Sequence, residues 1–144
     1  MPGLFGTQAS VASDLNLILQ IIVFIILVVG FRLGRTKTNE GLKRHGTLMR
    51  SMVVLNLVGV LTVMIPSFVS AFDIVANEPS KIGFPLIFVH AALGVTAVSL
   101  GVVLSFRKFG NVRFWMRLTL SVWLTTLLLG FLIYVGYYVL GFPT

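Results

Sequence analysis

Four long apolar stretches, separated by short polar connections, dominate the pattern of this sequence. They cover residues 15–33, 47–72, 84–106 and 114–140. A helix needs roughly 20 mostly apolar residues to cross a bilayer, and open strands would leave backbone groups unpaired in lipid. Because the connections are short, neighbouring helices should run antiparallel. The pattern therefore predicts an all-α integral membrane protein, with residues 1–144 forming one domain, an antiparallel bundle of four transmembrane helices.

The composition agrees with this interpretation. Of the 144 residues, 57% are hydrophobic and 10% are charged, whereas soluble domains carry about 25% charged residues. The formal net charge is +7, but the cations lie in connections between apolar stretches, so nucleic acid is not an expected partner. The chain has no cysteine, which excludes zinc–cysteine and iron–sulfur sites built from its own residues. The N-terminal stretch lacks basic residues, so no cleavable signal peptide is expected.

The basic residues predict an orientation. Ten of the eleven lysines and arginines flank the first and third connections, and three of the four acids lie at the opposite helix ends. Short basic loops stay on the cytoplasmic side, so we expect a protein of the cytoplasmic membrane with both termini on the outer side. Five residues near the basic loops are expected to lie at the lipid interface and to contact membrane lipids: Lys43, Arg44, Arg113, Trp115 and Arg117.

One face of the second stretch carries most of its polar groups. Residues recur there at steps of three or four, which places them on one side of a helix. Polar groups in hydrocarbon are costly and normally face the bundle interior, so this face should point at the other helices. Its members are His45, Met49, Met52, Asn56, Gly59, Val63, Pro66, Ser70 and Asp73. A matching face of the third stretch holds His90, Gly94, Ala97, Gly101 and Ser105.

His90 and Asp73 form the first candidate metal site. His90 lies about six residues inside the outer end of the third helix, and Asp73 ends the second helix on the same side. A carboxylate and an imidazole can bind a divalent metal, although two ligands do not complete a site. The alternative is a hydrogen-bonded pair that compensates for placing an imidazole in the membrane.

His45, Met49 and Met52 form the second candidate site. Thioether sulfur favours Cu(I), and imidazole also accepts copper; alternatively, the methionines fill gaps in helix packing and His45 lies at the lipid headgroups. His45 and His90 are predicted near opposite ends of the bundle, roughly 20 Å or more apart. They therefore cannot be the two axial ligands of one haem. Copper and haem stay open as cofactors, and neither is required by the pattern.

Three segments resemble a known family. "KRHGTLM" and "LIFVHAALG" are similar to a basic, histidine-bearing start of helix two and to the start of helix three. The most specific part is an Arg-x-Thr-Leu-x-x-Trp-Leu pattern followed by Gly-x3-Tyr, carried by Arg117, Thr119, Leu120, Trp123, Leu124, Gly130 and Tyr134. Over about residues 40–140 the chain thus resembles the small four-helix membrane proteins of the domain-of-unknown-function 420 family. It lacks two histidines that the family usually carries, near the end of helix two and before helix four.

The resemblance implies a place near respiratory enzymes, because some members of that family are linked to assembly of haem–copper oxidases. No nucleophile–base pair, glycine-rich phosphate loop or paired carboxylates occur in the sequence, so an enzyme acting alone is not expected. The leading hypothesis is a non-catalytic accessory or assembly subunit of a larger membrane metalloenzyme. A haem–copper oxidase or a copper-dependent membrane monooxygenase would supply the other membrane subunits as partners.

The alternative hypothesis is a stand-alone membrane protein that handles copper, haem or electrons. It would use His90 with Asp73, or His45 with Met49 and Met52.

Overall fold

The regular secondary structure in the part of the chain that the structure describes is entirely helical. The computed structural model describes residues 3–36, 38–69, 72, 83–106 and 110–141, and no strand occurs among them. The helices are α1 (Val11–Arg35), α2 (Asn39–Gly59, continuing through a π-helical turn, Val60–Met64, to Val69), α3 (Gly83–Phe106) and α4 (Val112–Tyr134, followed by a π-helical turn, Val135–Val139). All four are long and apolar enough to cross a membrane, which confirms the predicted helix count for the described residues.

Side-chain caps extend the helices beyond their apolar stretches. The Ser10 hydroxyl accepts the Ser13 N–H at 3.1 Å and starts α1, and the Thr38 hydroxyl accepts the Gly41 N–H at 3.1 Å and starts α2. Such caps satisfy backbone donors that a first turn leaves free. As a result α2 begins eight residues before the predicted 47–72, because a capped helix end tolerates the polar sequence that hydropathy assigns to a loop.

The helices form two antiparallel pairs. α1 packs along α2, α3 packs along α4, and α2 against α3 is the main contact between the pairs. One end of the bundle, called the basic end below, carries the described arginines and lysines: Arg32, Arg35, Lys43, Arg44, Arg50, Arg113 and Arg117. Helix order, helix direction and the position of the basic end thus agree with an antiparallel four-helix bundle.

The buried core is small and lies at mid-height. It consists of Val23, Leu27, Met52, Ala97 and Trp123, so every helix contributes to it. Large apolar side chains instead face outward along all four helices. An exposed apolar surface of this extent is unfavourable in water, but lipid solvates it. The distribution of apolar groups is therefore that of a membrane protein.

Candidate functional site

A cleft opens between the two helix pairs in the half of the bundle away from the basic end. Its volume is about 1010 Å³, and its lining includes Ala97 and Trp123 of the buried core. Both π-helical turns border it, through Val60 and Tyr137, and π-helical turns often occur at functional sites. The walls are mostly apolar, with polar side chains from all four helices: Ser13, Asn16, Gln20, Asn56, His90, Thr126 and Tyr134.

The half-buried side chain of His90 lines this cleft. Its Nδ1 lies 3.0 Å from the Thr126 carbonyl oxygen. A carbonyl can only accept, so Nδ1 carries the proton, and in the neutral ring Nε2 keeps its lone pair. Nε2 has no hydrogen-bond partner among the described residues. The imidazole is thus oriented by a backbone group, as metal-ligating histidines commonly are.

Small residues bring α3 and α4 close enough for this hydrogen bond. A Cβ at Gly130 would lie 2.8 Å from Cε1 of His90, and one at Gly94 would lie 3.5 Å from the Thr126 methyl carbon. The imidazole therefore rests on the bare backbone of α4. The residues on the predicted face of the third stretch do not all contact the same helix. Gly94 faces α4, whereas Gly101 faces Val53 of α2.

Asp14 is a buried polar residue whose structural role the sequence analysis did not identify. Its side chain is 0% exposed. It accepts the Tyr134 hydroxyl at 2.5 Å and the Phe5 N–H at 3.2 Å, and the Thr7 hydroxyl lies 3.4 Å from the Tyr134 oxygen. The segment before α1 thus folds over the end of the cleft. The one available signal was a carboxylate in the first turn of an otherwise apolar helix.

Three amides line the opposite wall of the cleft. The Gln20 side-chain N–H donates to Asn56 Oδ1 at 3.2 Å, and both residues are buried. Asn16 Oδ1 is also buried and has no hydrogen-bond partner in the described part of the chain; it faces Gly59 of α2. The predicted interior face of α2 does point at α1 here.

The candidate site at His45 lies in the seam between α1 and α2. His45 Nδ1 is 2.7 Å from the Gly30 carbonyl oxygen, and a Cβ at Gly34 would lie 3.1 Å from the same nitrogen. Met49 packs its terminal methyl against Gly30, and Met52 belongs to the core. These contacts are those of helix packing, as the packing alternative describes, while copper binding at these residues stays a prediction.

The predicted metal site at His90 is only partly described. Asp73 lies outside the described residues, so the structure gives no distance between Asp73 and His90. Within the ranges that are described, no three histidine, aspartate or glutamate side chains come together. A metal at His90 Nε2 would accordingly need further ligands from elsewhere.

The predicted interfacial residues all lie at the basic end. Lys43, Arg44, Arg113 and Arg117 are exposed, and Trp115 is partly buried against the edge of Phe114. Arg44 also pairs with Glu40 one turn earlier, at 2.6 Å.

Comparison of the chain with protein-family models, with curated proteins and with solved structures finds no match. The resemblance to the domain-of-unknown-function 420 family therefore stays a prediction.

Proposed function

We propose that this chain is a non-catalytic accessory or assembly subunit of a larger membrane metalloenzyme, of the haem–copper oxidase or copper-dependent membrane monooxygenase type. In this proposal the four helices span the cytoplasmic membrane. The basic end faces the cytoplasm, where short lysine- and arginine-rich loops are retained. The cleft then opens in the outer half of the bilayer.

The observation that carries this proposal is the geometry of His90. Its Nδ1–H is held by the Thr126 carbonyl, its Nε2 makes no hydrogen bond with the described residues, and its side chain lines an open cleft. A histidine kept only for packing needs neither a ring nitrogen without a described partner nor an adjacent cleft. Ionisable groups within a membrane are functional candidates by default.

The residues present fit a metal or haem only as an incomplete site. His90 Nε2 suits one position on a copper ion or one axial position on a haem iron. The remaining ligands would come from outside the described residues, either from the segment that contains Asp73 or from another subunit. An incomplete site of this kind fits a protein that acts within a complex.

The outward faces of the helices supply surface for such a complex. Large apolar side chains remain exposed on every helix, and the two helix pairs leave the cleft unfilled. A neighbouring subunit can cover these faces without leaving polar groups unpaired, because few of them are polar.

The same His90 geometry also favours the alternative, a stand-alone metal- or haem-binding protein completed by Asp73. The two candidates differ in where the missing ligands originate, so a purified chain separates them.

The deciding experiment is purification of the tagged full chain from its native membranes in a mild detergent. Co-migrating proteins are identified and counted by mass spectrometry, and copper and haem are measured per complex. We expect near-stoichiometric catalytic subunits of a metalloenzyme. Recovery of the chain alone with stoichiometric copper or haem would favour the stand-alone candidate, and recovery with neither partner nor metal would contradict both.

Two matched variants test the role of His90 in that complex. His90→Gln should lower the metal content of the recovered complex, because the amide is a poor replacement for an imidazole ligand. His45→Gln, which alters the other histidine in the α1–α2 seam, should leave the metal content unchanged. Equal metal content in the parent and in His90→Gln would argue against a ligand role for His90.

A further inference from the structure

A second groove lies between α1 and α4 near the basic end. Its volume is about 290 Å³. α1 and α4 belong to different helix pairs, and their backbones do not pack closely along the described residues, so the groove is open to the surroundings of the bundle. Its α1 wall includes Phe24, Val28 and Phe31, and its α4 wall consists of Leu120 and Leu124.

The groove matches one leaflet of a bilayer in length. From Phe24 to Arg35 the α1 wall covers twelve residues, or eleven steps along the helix, which is about 16 Å at a rise of 1.5 Å per residue. Half of a hydrocarbon core about 30 Å thick is about 15 Å. An acyl chain of one leaflet therefore has the right length to lie along this wall.

Two arginines stand where the groove meets the basic end. Arg32 and Arg35 both line it and are exposed. The guanidinium of Arg35 lies 5.5 Å from the centre of the Phe31 ring, which holds its charge beside the groove. Arg117 lies about one turn closer to the basic end than Leu120, on the same face of α4.

Arg32 and Arg35 have no carboxylate partner among the described residues. Glu40 pairs with Arg44, and Asp14 is buried with Tyr134 at the other end of the bundle. The charges of Arg32 and Arg35 are thus available to an external anion. Arginine is well suited to phosphate, because its planar fork of N–H donors matches two phosphate oxygens.

We propose that the groove between α1 and α4 binds an anionic phospholipid, with an acyl chain against Phe24, Val28 and Leu124 and the phosphate at Arg32 and Arg35. Basic pockets between transmembrane helices commonly bind anionic headgroups in this way. The inference rests on the proposed membrane insertion and is independent of the metalloenzyme role. A specific lipid here would join α1 and α4 near the basic end, where their backbones do not pack closely.

The test is native mass spectrometry of the purified full chain in a neutral detergent. The probes are phosphatidylglycerol and phosphatidylcholine with identical acyl chains. We expect one phosphatidylglycerol to be retained in preference to phosphatidylcholine. The double variant Arg32→Gln/Arg35→Gln should weaken phosphatidylglycerol binding by about 25-fold, since each arginine near the membrane surface contributes about a factor of five.

A matched control removes the same charge elsewhere at the basic end. Lys43→Gln/Arg50→Gln should weaken phosphatidylglycerol binding much less than the Arg32/Arg35 double variant, because both residues lie on α2 and do not line the groove, and Lys43 is expected only at the general lipid interface. Equal losses in the two double variants would show a general attraction to the basic surface and overturn the proposal. Equal retention of the two lipids by the parent would overturn it as well.

A third variant tests the acyl-chain part of the site without changing charge. Val28 is 37% exposed, so Val28→Trp should fold normally while filling the groove. Weaker phosphatidylglycerol retention is expected, with unchanged helix content by circular dichroism. Retention at the parental level would show that no chain lies in the groove, and would overturn the proposal even if the arginine variants had failed to fold.

Discussion

The hydrogen bond between Tyr134 and Asp14 should make a measurable contribution to stability. It joins α4 to the first turn of α1 at 2.5 Å, and the carboxylate is 0% exposed. Tyr134→Phe removes only the hydroxyl, leaving the carboxylate with the Phe5 N–H at 3.2 Å as its remaining hydrogen-bond donor among the described residues. The ring and its packing are preserved.

The expected cost follows from the burial and charge of the acceptor. Hydrogen bonds to charged groups contribute about 1.5–3 kcal/mol in proteins, whereas polar pairs between transmembrane helices average about 0.6 kcal/mol and reach about 1.7. A buried carboxylate that loses one of its two described donors belongs at the upper end of the membrane range. We expect Tyr134→Phe to lower the free energy of unfolding by about 1.5–2 kcal/mol.

The measurement is unfolding of the purified chain in mixed micelles by increasing the dodecyl sulfate fraction, followed by circular dichroism and tryptophan fluorescence. Tyr137→Phe is the matched control, because Tyr137 also lines the cleft but its hydroxyl makes no hydrogen bond with the described residues. A double-mutant cycle with Asp14→Asn should give a coupling of about 1 kcal/mol or more. The reasoning fails if Tyr134→Phe and Tyr137→Phe cost the same, or if the cycle is additive.

Three further predictions concern the packing of α1, α2 and α4, and the same unfolding assay measures each of them. Gln20→Leu alone should destabilise by about 1 kcal/mol because it leaves the Asn56 amide buried without its partner; the double variant with Asn56→Leu should recover part of the loss, and a larger loss would contradict this account. Gly30→Leu should lower the free energy of unfolding by about 1–3 kcal/mol, because the larger side chain overpacks the α1–α2 seam. Gly46→Leu is the control and should cost nothing, because a Cβ at Gly46 meets no neighbouring atom within 4 Å. Equal effects of the two substitutions would contradict close packing at Gly30. Trp123→Ala should cost about 3 kcal/mol, since the side chain is 4% exposed and its removal leaves a cavity; a cost below 1 kcal/mol would show that lipid fills the space.

The cleft illustrates which parts of the site could be predicted. His90 was a candidate because an imidazole inside an apolar helix is costly wherever it points. Its hydrogen bond to the Thr126 carbonyl was not predictable, since backbone acceptors carry no signal in the residue pattern. The expected partner was Asp73, which lies outside the described residues. The structure shows that a glycine on another helix, Gly130, receives the ring, and the pairing of His90 with Asp73 stays a prediction.

The seam between α1 and α2 shows the same division. Spacing alone placed His45, Met49 and Met52 on one interior face, because helical periodicity is a local property. That they pack on Gly30 and Gly34 depends on the rotation and height of α1 relative to α2. Gly30 and Gly34 are spaced like small residues at many helix contacts, but one such pair is too common to establish a contact between α1 and α2 by itself.

By itself the sequence determined the four apolar helices, their inward faces and the basic end, because apolar length, residue periodicity and charge are read within each segment. Only the tertiary structure decided the partners of the polar groups. Asp14 and Tyr134 are 120 residues apart, and each had several possible partners at its level of the bundle. Which of them meet depends on how four similar apolar helices choose their neighbours. That choice is made by the close approach of small residues and by the pairing of buried polar groups such as Asp14 with Tyr134 and Gln20 with Asn56, and neither is a property of one helix.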